Sequence, residues 1–215
     1  MSAYLSVRDL PVEGQRVFLR LDLNVPMKGG QIQDDTRIRE ALPTLRHLLD
    51  RHAKVIACSH LGRPKGQRVP ELSLAPVAKR LREALPGASV AFTTDTLGLE
   101  AQAAAATLQP GAVLLLENIR YEPGETKDDP VVARKIREMA DLFVCDAFGN
   151  VHRAHASLCA AAKLFPQAAA GFLLEKEVEY LQGRLGNPER PYAAFLGGAK
   201  VSDKIPILQS MSEKV

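Results

Sequence analysis

Arginine, histidine and acid or amide side chains recur at one kind of place in this sequence of 215 residues: just after short apolar runs. Asp22 and Asn24 close the run at 16–24, RVFLRLDLN. Ser59, His60 and Arg63 stand at and beyond the end of KVIACSH (54–60). Glu117, Asn118 and Arg120 do the same for AVLLLEN (112–118), and Asp146, His152, Arg153 and His155 for DLFVCD (141–146). Arg37 follows the triplet Asp34-Asp35-Thr36. A guanidinium presents a planar fork that matches two oxygens of a phosphate or carboxylate at once. Arg37, Arg63, Arg120 and Arg153 gathered on one rim would therefore suit a small polyanion. Taken singly, each reads as a solvated loop residue; it is their coincidence at successive run ends that favours a site.

Other residues stay open at this level. Asp22 could cap a strand end, orient an arginine or accept a substrate hydroxyl. His60, directly after a run, suits a ligand contact, and Asp146 could simply support its loop. His152 and His155 form an HxxH, but zinc needs three or four ligands and no further carboxylate or thiol is well placed, so no metal site is expected. In GGAKVSDK (197–204), Gly197 and Gly198 follow a short apolar run, so backbone N–H groups and a helix start can face an anion. Lys200 and Lys204, four apart, share a helical face. GxxxxGK[ST], GxGxxG, GxSxG and HExxH patterns are missing, which removes the mechanisms that depend on them.

These residues need a scaffold that brings run ends together. The runs at 16–24, 54–60, 89–95, 112–118 and 141–146 are short and almost continuously apolar, as in strands buried on both faces of a parallel sheet. Amphipathic stretches at 36–52, 73–85, 96–108 and 130–140 alternate with them. Ser73 can cap the second, and Pro130 after Asp129 suits the first position of the fourth. Pro43 either starts the first helix or kinks it. Alternation of this kind predicts an α/β fold, a doubly wound parallel sheet with helices on both faces. In such sheets ligands bind beyond the carboxyl ends of the strands. The sheet domain is expected over 1–172, a connecting helix over 173–186, and over 187–215 only the first strand-helix unit of a second α/β domain.

Composition fits that picture. Apolar residues make up 46% and charged residues 25%, the balance of a soluble globular protein. The net charge of +3 is too small to argue for a nucleic acid or membrane partner, which calls for a concentrated basic face. Cys58, Cys145 and Cys159 are odd in number and widely spaced, and read as buried thiols in a reducing compartment. No apolar run is long enough to span a bilayer and the amino terminus lacks a signal pattern, so a cytoplasmic location is expected.

RLDLNVP (20–26), DDTRI (34–38), SHLGRP (59–64), ENIRY (117–121), DAFGNVHRAHAS (146–157) and LGGAKVSDKI (196–205) together resemble phosphoglycerate kinase. Leu21 and Cys145 depart from the commonest form of the motifs, without touching the arginine set. The resemblance implies a two-lobed, monomeric glycolytic phosphotransferase that moves a phosphoryl group reversibly between 1,3-bisphosphoglycerate and ADP, giving 3-phosphoglycerate and ATP. Matched motif by motif, Asp22, Asn24, Arg37, His60, Arg63, Arg120 and Arg153 would bind the glycerate. Gly197, Gly198, Lys200 and Lys204 would bind the nucleotide, with Arg37 and Lys204 catalytic. Mg²⁺ would arrive with ATP or ADP, its ligands outside this chain. Direct in-line transfer with hinge closure is implied. Family chains continue well past residue 215, so the alternative expectation is an isolated 3-phosphoglycerate-binding lobe without turnover.

Overall fold

A computed structural model describes residues 4–181 together with Ile205 and Gln209. The chain divides into two compact units, Met1–Leu174 and Glu175–Val215. The first contains a seven-stranded sheet in the order β1-β9-β8-β2-β5-β7-β6. Its strands are β1 (Leu5–Ser6), β2 (Arg16–Leu21), β5 (Lys54–Cys58), β6 (Ser89–Phe92), β7 (Ala112–Leu115), β8 (Leu142–Asp146) and β9 (Ala168–Ala170), and every neighbouring pair is parallel. β3 (Met27–Lys28) and β4 (Gln31–Ile32) form a separate antiparallel hairpin.

Parallel pairing forces crossovers, and the crossover helices cover both faces. Alternate residues of each strand serve opposite cores, as a period of two requires. Val17, Leu19, Val55, Ala57, Val113 and Leu115 pack with α1 (Thr36–Asp50) and α2 (Ala75–Ala84). Phe18, Ile56, Leu114 and Phe143 pack with α3 (Leu99–Ala106), α4 (Pro130–Met139) and the short α5 (Cys159–Ala162). The expected doubly wound α/β fold is thus present. From β2, the chain crosses to β5 by α1 on one face; from β7, it crosses to β8 by α4 on the other. β2 lies between β5 and β8, so the loops after these strands open a crevice at the switch of winding direction.

Local chemistry explains most boundaries. Asp129 caps α4, its side chain accepting from Val131 N–H, and Pro130 occupies the first turn, where its missing N–H costs nothing. α1 starts at Thr36 and runs through Pro43, so the proline does not mark its start; the helix stops before His52, whose φ is +55°. Ser73 is not the N-cap of α2. Leu74 holds that position, while the Ser73 hydroxyl donates to Glu117 Oε2 at 2.7 Å and accepts from Ala75 N–H at 3.2 Å.

The edge strand β1 and its neighbour β9 escape sequence reading because two or three residues carry no pattern. Of the cysteines, all free, only Cys58 is fully buried; Cys145 and Cys159 are half-buried, a correction to the expectation of three buried thiols. α6 (Phe172–Glu179) begins at the end of the first unit. The rest of the expected connecting helix, the strand at 192–198 and the helix near Val201 lie outside the described residues. Among the described residues, no helix is long and apolar enough to cross a membrane.

Candidate functional site

The loops after β2, β5, β7 and β8 enclose a cleft of about 160 Å³ lined by Asp22, Asn24, Arg37, His60, Gly62, Arg63, Arg120, Gly149, Asn150 and Arg153. All seven side chains expected at a glycerate site stand in this one cleft. Their convergence follows from parallel pairing, which puts the carboxyl ends of all the central strands at one edge. Gly197, Gly198, Lys200 and Lys204 lie outside the described residues.

Neighbouring loops fix each other. The Asp22 carboxylate accepts from Asn24 N–H at 3.2 Å and is ion-paired with Arg37 from the first turn of α1. Asn24 Oδ1 accepts from Gly62 N–H at 2.9 Å, and Ser59 Oγ accepts from Leu23 N–H at 2.8 Å. Arg120 Nη1 donates to the Gly62 carbonyl at 2.7 Å. Gly62 is indispensable to this weave: its φ is +59° and an added Cβ would lie 2.6 Å from Leu72 Cδ2. At Gly149 a Cβ would lie 2.9 Å from Asp22 Oδ2, so glycine here leaves the Asp22–Arg37 pair undisturbed.

The cleft is strongly cationic. Among the described residues, Arg63, Arg120 and Arg153 have no carboxylate within ion-pair distance. Arg120 is only 6% exposed, and its Nε and the Asn150 amide Nδ2 are buried donors without a protein acceptor. Burial, with Arg153 next in weight, brings the Arg120 guanidinium down to about 10. Burial first, then Arg20, Arg120 and Arg153, hold the His60 imidazole down to about 2. His155 is lowered to about 4, by burial and then Arg120. Both rings are therefore neutral near pH 7. Uncompensated guanidiniums and orphaned N–H donors around a small space are the chemistry of an anion site.

Arg63, Arg120 and Arg153 also line an adjoining cavity of about 400 Å³, together with Lys65, Pro123, Thr126, Lys127 and His155. His152 lines neither; it accepts from Arg153 Nε at 3.2 Å. Glu117 and Asn118 face away from the cleft. Glu117 accepts from Leu74 N–H and Asn118 N–H at 2.8 and 2.7 Å, and Asn118 Nδ2 donates to the carbonyls of Leu61 and Leu72 at 2.7 and 2.9 Å. Asp146 Oδ1 accepts from Leu174 N–H, in the first turn of α6, at 3.0 Å.

Sequence reading passed over Gly149 and Asn150, which line the cleft, and Arg20, which stands behind it. Arg20 is fully buried and its Nη2 lies 3.5 Å from His60 Nδ1. The available signal was one charge inside an apolar strand, VFLRL, because a buried arginine requires dedicated partners.

Comparison with known proteins places this geometry in context. The family model for phosphoglycerate kinase matches residues 7–215. The chain is 53% identical over 213 residues to the phosphoglycerate kinase of Moorella thermoacetica, covering 99% of this chain and 54% of that protein. It is 51% identical over 212 residues to that of Akkermansia muciniphila, covering 99% and 52%. The structure of phosphoglycerate kinase from Coxiella burnetii superposes with a TM-score of 0.88 at 42% identity, covering 99% of this chain and 53% of that one. The enzyme from Pyrococcus horikoshii OT3 gives 0.88 at 33% identity, covering 97% and 52%. The chain thus spans about half the length of the relatives it matches.

Proposed function

The chain belongs to the phosphoglycerate kinase family, and from that premise we propose that its cleft binds the glycerate substrate of a reversible phosphoryl transfer. 1,3-Bisphosphoglycerate and ADP give 3-phosphoglycerate and ATP. The observation that carries this reading is the trio Arg63, Arg120 and Arg153 around the neutral His60, with no carboxylate in ion-pair range among the described residues. A substrate with a phosphate at one end and a carboxylate or acyl phosphate at the other supplies the missing negative charge twice over.

In this reading the residues bind and orient. Arg63, Arg120, Arg153 and His60 hold anionic oxygens, and Asp22 and Asn24 shape the wall. Arg37, half exposed at the edge of the cleft and paired with Asp22, faces the phosphoryl group in flight. Nothing in the cleft is a primed covalent nucleophile: the Ser59 hydroxyl accepts from Leu23 N–H, and burial pushes the Cys58 thiol up to about 12. Direct in-line transfer fits, with catalysis by positioning and by neutralising charge on the equatorial oxygens.

Gly197, Gly198, Lys200 and Lys204 are assigned to the nucleotide phosphates, with Lys204 and Arg37 as the catalytic residues. Domain limits of 1–172, 173–186 and 187–215, and closure about the connecting helix to exclude water, belong to the same proposal, as does a monomeric cytoplasmic protein acting on small molecules. Guanidinium donors do not fit a cation, so the cleft is no place for Mg²⁺; the ion travels with the nucleotide.

Calorimetric titration of 3-phosphoglycerate into the chain tests the reading. Saturable binding that weakens with added salt is expected, and its absence at millimolar ligand overturns the assignment. ATP formation from 1,3-bisphosphoglycerate and ADP in a coupled assay tests the transfer itself.

A further inference from the structure

Glu125, Ser157 and Arg20 lie behind the cleft, each with no exposed surface. Glu125 Oε2 accepts from Ser157 N–H at 2.9 Å and Oε1 from the Ser157 hydroxyl at 2.6 Å. That hydroxyl has one proton, given to Glu125, so its oxygen is left to accept, and it does so from Arg20 Nε–H at 2.8 Å. Arg20 also donates to the Leu21 carbonyl, and its Nη2 stands 3.5 Å from His60 Nδ1. Among the described residues, Glu125 and Arg20 make no direct ion pair. Ser157 is what joins the buried carboxylate to the buried guanidinium.

This chain has a chemical consequence at its far end. A guanidinium carries donors only. An imidazole nitrogen facing it must accept, since a proton on Nδ1 would point at both an N–H and a positive charge. The single proton of a neutral ring then sits on Nε2, the nitrogen not engaged by Arg20. We propose that Glu125, Ser157 and Arg20 are positioning residues that keep the His60 proton on Nε2, so that the ring offers the cleft an N–H donor rather than a lone pair. Such a donor suits a phosphate or carboxylate oxygen and repels other donors. A second ring proton is opposed first by burial and then by Arg20, Arg120 and Arg153. Glu125 supplies, through Ser157, a carboxylate for the buried guanidinium of Arg20, and linked hydrogen bonds of this kind strengthen one another.

The inference rests on the glycerate-site reading for its purpose, but its test does not. Long-range proton–nitrogen correlation spectra of the ¹⁵N-labelled chain at pH 7 report which ring nitrogen is protonated. A pyridine-like Nδ1 and pyrrole-like Nε2 for His60 are expected. A proton on Nδ1, a doubly protonated ring, or shifts averaged between tautomers would overturn the proposal without any variant. In Ser157→Ala the link is cut: His60 shifts should move toward a tautomer average and 3-phosphoglycerate affinity should fall ~10-fold, the scale of one lost hydrogen bond. Ser157→Thr keeps the hydroxyl and should restore both. A folded Ser157→Ala protein with an unaltered His60 spectrum refutes the role of the relay. Failure of the unmodified chain to bind 3-phosphoglycerate, with the tautomer as expected, would instead sink the site reading and leave the relay standing.

Discussion

Replacing Arg120 by Met separates binding from folding more cleanly than any other change in the cleft. The guanidinium is 6% exposed, donates once to Gly62 O, and leaves its Nε unanswered. Met preserves most of the apolar stem. In the unliganded protein two effects oppose: the variant loses a neutral-acceptor hydrogen bond worth roughly 1 kcal/mol, and sheds a buried charge without an anionic partner. The latter burden is visible in the guanidinium being brought down to about 10. At pH 7 the arginine is charged and its burden is fully present, relieved only as pH rises through that value. Net stability should therefore stay within about 1 kcal/mol of the parent. Binding has no such compensation. Loss of a charge-assisted bond at a desolvated position costs about 1.5–3 kcal/mol, or roughly 10- to 150-fold in Kd for 3-phosphoglycerate. Denaturant unfolding and calorimetry on the same preparation give both numbers. A stable, folded Arg120→Met protein that binds 3-phosphoglycerate like the parent would refute the argument that uncompensated guanidiniums define this site.

The depressed imidazoles predict acid sensitivity. Unfolded His60 and His155 take up protons near pH 6.5 while the folded rings, at about 2 and about 4, do not, so stability is full above pH 6.5 and falls as pH drops toward 4. Each ring contributes a slope of about 1.4 kcal/mol per pH unit in that window, and His155→Gln should flatten the measured curve; an unchanged slope would place the ring's titration elsewhere. Gly149→Ala, whose Cβ would press on Asp22 at 2.9 Å, should weaken 3-phosphoglycerate several-fold while leaving the unfolding midpoint nearly unchanged, and a large stability loss would contradict a purely local displacement. In a protein with both lobes, Arg37→Ala should lower kcat far more than it raises KM, because help confined to the transition state accelerates chemistry; steady-state kinetics showing a change in KM alone would make Arg37 only an anchor.

The central strands were legible from the amino-acid order because burial on both faces imposes continuous apolar runs, such as VFL in β2 and AVLL in β7. The principal helices were legible because burial on one face imposes a period near 3.6, and Asp129-Pro130 announced the start of α4. The polar residues of the cleft followed in turn. Once the strands are parallel, whatever follows each of them must meet at one edge, so the set from Asp22 to Arg153 could be grouped before its geometry was known. What tertiary structure alone decided lies where partners are distant or patterns short. β1 and β9 are strands because a neighbouring edge supplies their hydrogen bonds, not because LS or AAA favours one. Ser73 accepts from the first N–H of α2 and also donates to Glu117, 44 residues away, a partner that no local pattern announces. Arg20 lies 137 residues from Ser157, and Ser157 lies 32 from Glu125. Such a set of contacts is not local in the chain: its hydrogen bonds offset the cost of burying charge only after the sheet and both helical layers have closed around them and excluded water.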